Sequence, residues 1–135
     1  ESRVSVNGEV VMFVPQQAVA MGMVIHELLT NAHRHGSLAD DDGRVEITLD
    51  VDHAAGKLRL DWNEVGRTTT HDQWSPGEGM RLIEGLVRSD LRGKANLQIT
   101  REGARHRINM VIEEDHPSRD WRSRHAQRAS RVQTS

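Results

Sequence analysis

A chain of 135 residues with 18 basic and 20 acidic side chains, a net charge of −2 and no cysteine is long enough for one domain with its own core, and it excludes disulfide staples and thiolate catalysis. Balanced charge leaves no global positive field for nucleic acid, and the four aromatic residues, Phe13, Trp62, Trp74 and Trp121, are too few to stack a single strand. No apolar run approaches the roughly 18 residues of a membrane span and no signal peptide opens the chain, so no membrane contact is expected; a start at Glu1 rather than Met reads as a segment of something longer.

Val4 and Val6 alternate with polar residues, Asn7-Gly8 marks a turn, and residues 10–14 resume a β-rich run, which predicts a short strand or hairpin. Pro15 suits the first turn of a helix running to about His35, with Gly36 as a left-handed C′ residue. At helical pitch Glu27, Asn31 and His35 share one stripe beside Arg34. Val19, Met23, Ile25, Leu28, Leu29 and Ala32 make the opposite, core-facing side, and His26, off the polar stripe, is expected to be a packed core residue.

A polar loop over 37–43, its Asp40-Asp41-Asp42 run a solvated surface, leads to residues 45–51, apolar at every second position. After a turn at 53–56, Leu58, Leu60 and Trp62 alternate in the same way, so the two runs should pair as an antiparallel hairpin with Trp62 in the core. Glu64 is in phase with Trp62. It points inward at a strand end, where a carboxylate needs a partner.

Between Val65 and Gly79 the periodicity stops, leaving a loop of about a dozen residues, a length associated with function or disorder. Gly77-Glu78-Gly79 opens a second helix with Leu82, Ile83, Leu86, Val87 and Leu91 at helical spacing, ended by Arg92-Gly93. Two further strands follow, 96–100 with Leu97 and Ile99 inward, and 105–112 with Ile108, Met110 and Ile112 inward, joined through Glu102-Gly103. The order predicts the α+β class: a two-layer α/β sandwich, its mixed, mostly antiparallel sheet carrying the helices on one face. That domain occupies residues 1–112. Residues 113–135, polar and punctuated by Arg119, Arg122, Arg124, Arg128 and Arg131, form a tail expected to be poorly ordered, and His71, Trp74 and Trp121 read as incidental.

Several familiar chemistries fail on spacing. His26-Glu27 lacks the second His of a helical zinc motif, since Thr30 stands there. His33 and His35, two apart on a helix, diverge. Gly77-Glu78-Gly79 lacks the third glycine of a dinucleotide fingerprint and follows a loop rather than a strand, and no GxxxxGK[ST] is present.

What remains is an ordered set: His26-Glu27-Leu28-x-Thr30-Asn31-Ala32-x-Arg34-His35-Gly36, then Trp62-x-Glu64-x-Gly66, then Gly77-x-Gly79. This set resembles the nucleotide-binding catalytic domain shared by sensor histidine kinases, gyrase-type topoisomerases, Hsp90 and MutL, the Bergerat fold, and more narrowly the HWE subfamily of bacterial histidine kinases. The resemblance spans roughly residues 4–112. It implies a cytoplasmic, ATP-binding domain that transfers the γ-phosphoryl of Mg·ATP to a histidine on a dimerisation domain preceding residue 1, within a homodimer, with a response regulator downstream.

The same resemblance assigns roles. Asn31 supplies its oxygen to Mg²⁺, a hard cation taking few protein ligands. Glu27 is the catalytic residue, accepting a hydrogen bond from a Mg²⁺-bound water or acting as base near the γ-phosphate. Arg34, where a Lys is more usual, and His35 meet phosphate or ribose oxygens. Glu64 accepts the adenine N6 proton, and Gly66 lets the backbone approach the base. Gly77 and Gly79 present N–H groups to phosphate at a helix start, and the segment between Gly66 and Gly77 is the lid. The rival readings are an anti-sigma-factor serine kinase of the same superfamily and a degenerate module that only docks or relays phosphate.

Overall fold

The computed structural model describes residues 3–39, 41–66, 78–100 and 103–112. The expectations for the lid, Gly77, His71, Trp74 and the tail at 113–135 lie outside them. Among the described residues five strands form one sheet in the order β1-β2-β3-β5-β4, where β1 is Val4–Gly8, β2 Arg44–Asp52, β3 Lys57–Val65, β4 Lys94–Thr100 and β5 Gly103–Val111. β1 runs parallel to β2 and every other neighbouring pair is antiparallel. Among the described residues two α-helices, α1 (Pro15–His35) and α2 (Glu78–Ser89), cover one face. The class is α+β, a two-layer sandwich, as the order of elements implied.

The period-two runs behave as expected. Val45 and Ile47 of β2, and Leu58, Leu60, Trp62 and Glu64 of β3, are buried, and the two strands pair from Arg44 against Val65 to Asp52 against Lys57. Trp62 has no solvent exposure. An indole of that size removes about 200 Å² from water, roughly 5 kcal/mol of gross transfer free energy, which makes β3 the centre of the core.

Other expectations are corrected. The chain after β1 does not turn back as a hairpin: β1 extends through Gly8 (φ 125°) and pairs in parallel with β2, Val4 opposite Val45. Along α1 the buried side chains are Gln17, Ala20, Met21, Val24, Leu28 and Ala32, and Gln17 is satisfied by donating Nε2–H to the Val111 carbonyl at 2.8 Å. Val19 and Met23, placed in the core by their hydropathy, are 65% and 42% exposed, and His26 is exposed rather than packed. The helix is rotated so that small and flexible side chains meet the sheet, where the large residues of β3 already fill the space. The polar stripe is consequently a flank of the buried face rather than its opposite. In the second half Met80, Ile83, Val87 and Leu91 are buried, while Leu82 and the edge-strand Ile99 are 40% and 38% exposed. Among the described residues no helix is long and apolar enough to cross a membrane.

One buried ionisable group sets an acid limit. His106 on β5 lies opposite Trp62 and Leu97, is 4% exposed, and accepts the Gln98 backbone N–H on Nδ1 at 3.2 Å. Burial lowers its pKa from 6.5 to about 4. The unfolded chain takes up this proton as pH falls through 6.5 and the folded chain does not until about 4, so the neutral imidazole's stabilisation is present above pH 6.5 and is lost on the way down to pH 4. The full loss is about 3 kcal/mol. Urea midpoints at pH 7, 5.5 and 4.5 should fall steeply in the native chain and less steeply in His106→Gln; equal slopes would reject the assignment.

Candidate active site

The second half of α1, the end of β3 and the start of α2 meet. Glu27 and Asn31 are half-buried, Arg34 is exposed on the same flank, and His35 is half-buried one turn on. The start of α2 packs directly on this stripe: a Cβ built on Gly79 would lie 2.7 Å from Glu27 Oε2 and 3.9 Å from Asn31 Nδ2. Any side chain at Gly79 would displace the carboxylate. Asn31 donates an Nδ2–H to the Met80 sulfur at 3.5 Å, and among the described residues its Oδ1 has no hydrogen-bond partner. Met80 of α2 thus holds the amide by its nitrogen.

Glu64 is 3% exposed, yet it is not left unpaired. Its Oε1 accepts the Ser37 backbone N–H at 2.9 Å and its Oε2 accepts the Trp62 indole N–H at 3.2 Å. Two glycines fit around it. A Cβ on Gly103, at φ 126°, would lie 2.9 Å from the Glu64 Cβ, and a Cβ on Gly36 would overlap Oε1 and approach the Ala32 Cα to 3.0 Å. Gly36 itself has φ −111° and ψ −155°. It is therefore not the left-handed cap the sequence suggested. Glycine stands there for room, because the chain leaves α1 against the Glu64 carboxylate.

Gly66 does need its freedom: its φ is 93° and a Cβ would stand 2.8 Å from the Asp42 carbonyl oxygen. The loop it abuts is tied by Arg3, which lies just before the neighbouring edge strand β1 and donates to the Gly43 carbonyl at 2.8 Å and the Ser37 carbonyl at 3.4 Å. Ser37 Oγ donates to the Arg44 carbonyl at 2.9 Å. The turn that presents the Ser37 amide to Glu64 is thereby held from three sides.

Sequence reasoning placed Glu27, Asn31 and Gly79 together and set Glu64 inward, and the described geometry agrees. It missed the partners of Glu64. One signal was available: Trp62 and Glu64 are two apart on one strand face, and a buried indole N–H requires an acceptor. Ser37, Met80 and Arg3 carried no comparable signal. A groove of about 630 Å³ bordered by Asp50, Lys57, Arg59 and Lys94 opens at the other end of β3 from Glu64.

No protein-family model matches the chain. It is 34% identical over 113 residues, 82% of its length, to blue-light-activated histidine kinase 1 of Erythrobacter litoralis, of which it covers 31%. The histidine kinase domain of the Erythrobacter litoralis EL346 blue-light-activated kinase superposes with a TM-score of 0.66 at 25% identity, over 81% of this chain and 54% of that one. In sequence and fold the chain matches the catalytic domain of sensor histidine kinases. It spans about a third of the length of that curated relative. The fold extends to more distant histidine kinases: ThkA, in complex with the response regulator TrrA, matches 86% of this chain and 34% of its own at a TM-score of 0.54 and 13% identity.

Proposed function

We propose that this histidine kinase domain binds Mg·ATP between α1, the end of β3 and the start of α2, and transfers the γ-phosphoryl group to a histidine on a dimerisation domain, from which it passes to a response regulator. The observation that carries the reading is the seating of Gly79 against Glu27 and Asn31. It sets a helix start, with its first-turn N–H groups and favourable dipole, beside a carboxylate and an amide oxygen.

The nine steps of chain from Glu27 to Gly36, just past the end of α1, rise about 13 Å, a span suited to a nucleotide laid with its γ-phosphate at Glu27 and its base at Glu64. Glu64 keeps acceptor capacity beyond its two internal donors, since a carboxylate offers about four lone-pair positions. It accepts the adenine N6–H, and Gly66 admits the base to the backbone. Arg34 and His35 bind phosphate oxygens; the Gly79 amide faces the triphosphate. The donor set fits magnesium: among the described residues Asn31 Oδ1 is a hard oxygen without another partner and no three His, Asp or Glu side chains gather to hold an ion alone, as suits a metal that arrives with its nucleotide. Bound there, Mg²⁺ neutralises charge on the phosphates. Glu27 accepts a hydrogen bond from a metal-bound water or acts as the base near the γ-phosphate, and catalysis is mainly positioning.

Titration calorimetry with Mg²⁺ and ATP tests this directly. Binding at or below millimolar nucleotide is expected, together with transfer of label from γ-labelled ATP to a dimerisation domain supplied in trans. Absence of heat at millimolar ATP would favour a docking module instead.

A further inference from the structure

We propose that Trp62 is a positioning residue for purine selection: its indole N–H fixes the Glu64 carboxylate in the one orientation that meets adenine. The inference rests on the reading of Glu64 as the acceptor of the adenine N6–H. Trp62 lies wholly inside the protein, with no surface from which to touch a nucleotide, and donates Nε1–H to Glu64 Oε2 at 3.2 Å. The opposite oxygen, Oε1, is held by the Ser37 amide at 2.9 Å. One donor comes from two residues back on the same strand and the other from the turn after α1, so each oxygen is tied to a different element. Gly36 and Gly103 close on the carboxylate and on the Cβ from the sides. The group has no room to turn.

This restraint has a chemical consequence. A carboxylate free to rotate can present both oxygens to the N1–H and N2 amino donors of guanine, or one oxygen to the N6 amino group of adenine. With one acceptor position on each oxygen taken by a donor from a different element, the remaining positions point in fixed directions, and where they face the C6 edge of a purine adenine offers a donor and guanine an acceptor oxygen. Specificity of this kind comes from leaving the wrong base with an unpaired polar group. The Trp62 donor is therefore as much a part of base selection as the acid it holds.

The test uses the 135-residue chain and compares affinities for Mg·ATP, Mg·GTP and Mg·tripolyphosphate. In Trp62→Phe, which keeps a buried aromatic ring and removes the donor, the ATP-to-GTP affinity ratio is expected to fall about tenfold, with tripolyphosphate binding unchanged. A merely structural role would weaken all three ligands together, and that result, or an unchanged ratio, overturns the proposal. Failure of the underlying reading looks different: a native chain without preference for ATP, or a Glu64→Ala chain that keeps the preference, removes Glu64 from base recognition altogether. If Trp62→Phe does not fold, the Trp62 indole N–H resonance of the native chain decides. It should exchange slowly with solvent and shift in Glu64→Ala, and exchange at the rate of an exposed indole overturns the assignment.

Discussion

Asn31→Ala is expected to weaken Mg·ATP binding by about 100-fold while leaving the melting temperature nearly unchanged. The reason is the asymmetry of its surroundings. Among the described residues Nδ2 has only the long contact to the Met80 sulfur at 3.5 Å, and the side chain is half-buried on a helix flank, so truncation removes little packing and costs about 0.5 kcal/mol or less. The oxygen is the part with a proposed task, and losing even a supporting ligand lowers metal affinity by about 10- to 100-fold. Asn31→Asp keeps an oxygen but replaces the donor to Met80 and puts a second carboxylate one turn from Glu27, so intermediate affinity and an altered magnesium dependence are expected. Calorimetry across a range of Mg²⁺ concentrations checks both variants. Native affinity in both would remove Asn31 from the metal site.

The second large effect is expected at Gly36, where alanine should lower both stability and nucleotide affinity. The added methyl overlaps Glu64 Oε1 and crowds the Ala32 Cα. To make room the carboxylate must leave the Ser37 amide, and Ser37 has no solvent exposure from which water could replace it. Overpacking and an unpaired buried donor together amount to about 3 kcal/mol, or a fall of roughly 10 °C in melting temperature. Base discrimination should fall with it, since the displaced acid is the proposed reader. Gly22→Ala is the control: nothing lies within 4 Å of its Cβ position in the middle of α1, and alanine there should stabilise by up to about 1 kcal/mol. A Gly36→Ala chain as stable as Gly22→Ala would contradict the described packing.

The contrast between these two glycines shows where reading a sequence stops. Both sit in the helical pattern, and helix rules treat the first as an interior cost and the second as a terminal cap. The cap rule supplied the right boundary at Gly36 for a reason that does not operate, since the backbone there is extended and glycine serves the clearance of a side chain on another strand. A similar division separates Glu64 from its partners. Its inward direction follows from phase with Trp62, while the Ser37 donor lies 27 residues away in the chain and on a turn without periodicity. The apolar stripe of α1 shows the same limit: hydropathy marked Val19 and Met23 as core, although the volume already filled by Trp62, Leu58 and Leu60 brought the smaller Ala20 and Ala32 and the more flexible Met21 to the sheet.

By itself, the sequence determined the α+β class, the β2–β3 hairpin, the bounds of α1, the shared stripe of Glu27 and Asn31 and the inward acid on β3. These follow from periods of 2 and 3.6 and from turn chemistry, which act between near neighbours in the chain. The tertiary structure decided the parallel edge pairing of β1, the rotation of α1, the seating of Gly79 on Glu27, and the two donors that hold Glu64. Each of these is a matter of volume and unpaired hydrogen-bonding groups brought together from distant parts of the chain, and close packing, not local preference, selects among the arrangements that the pattern allows.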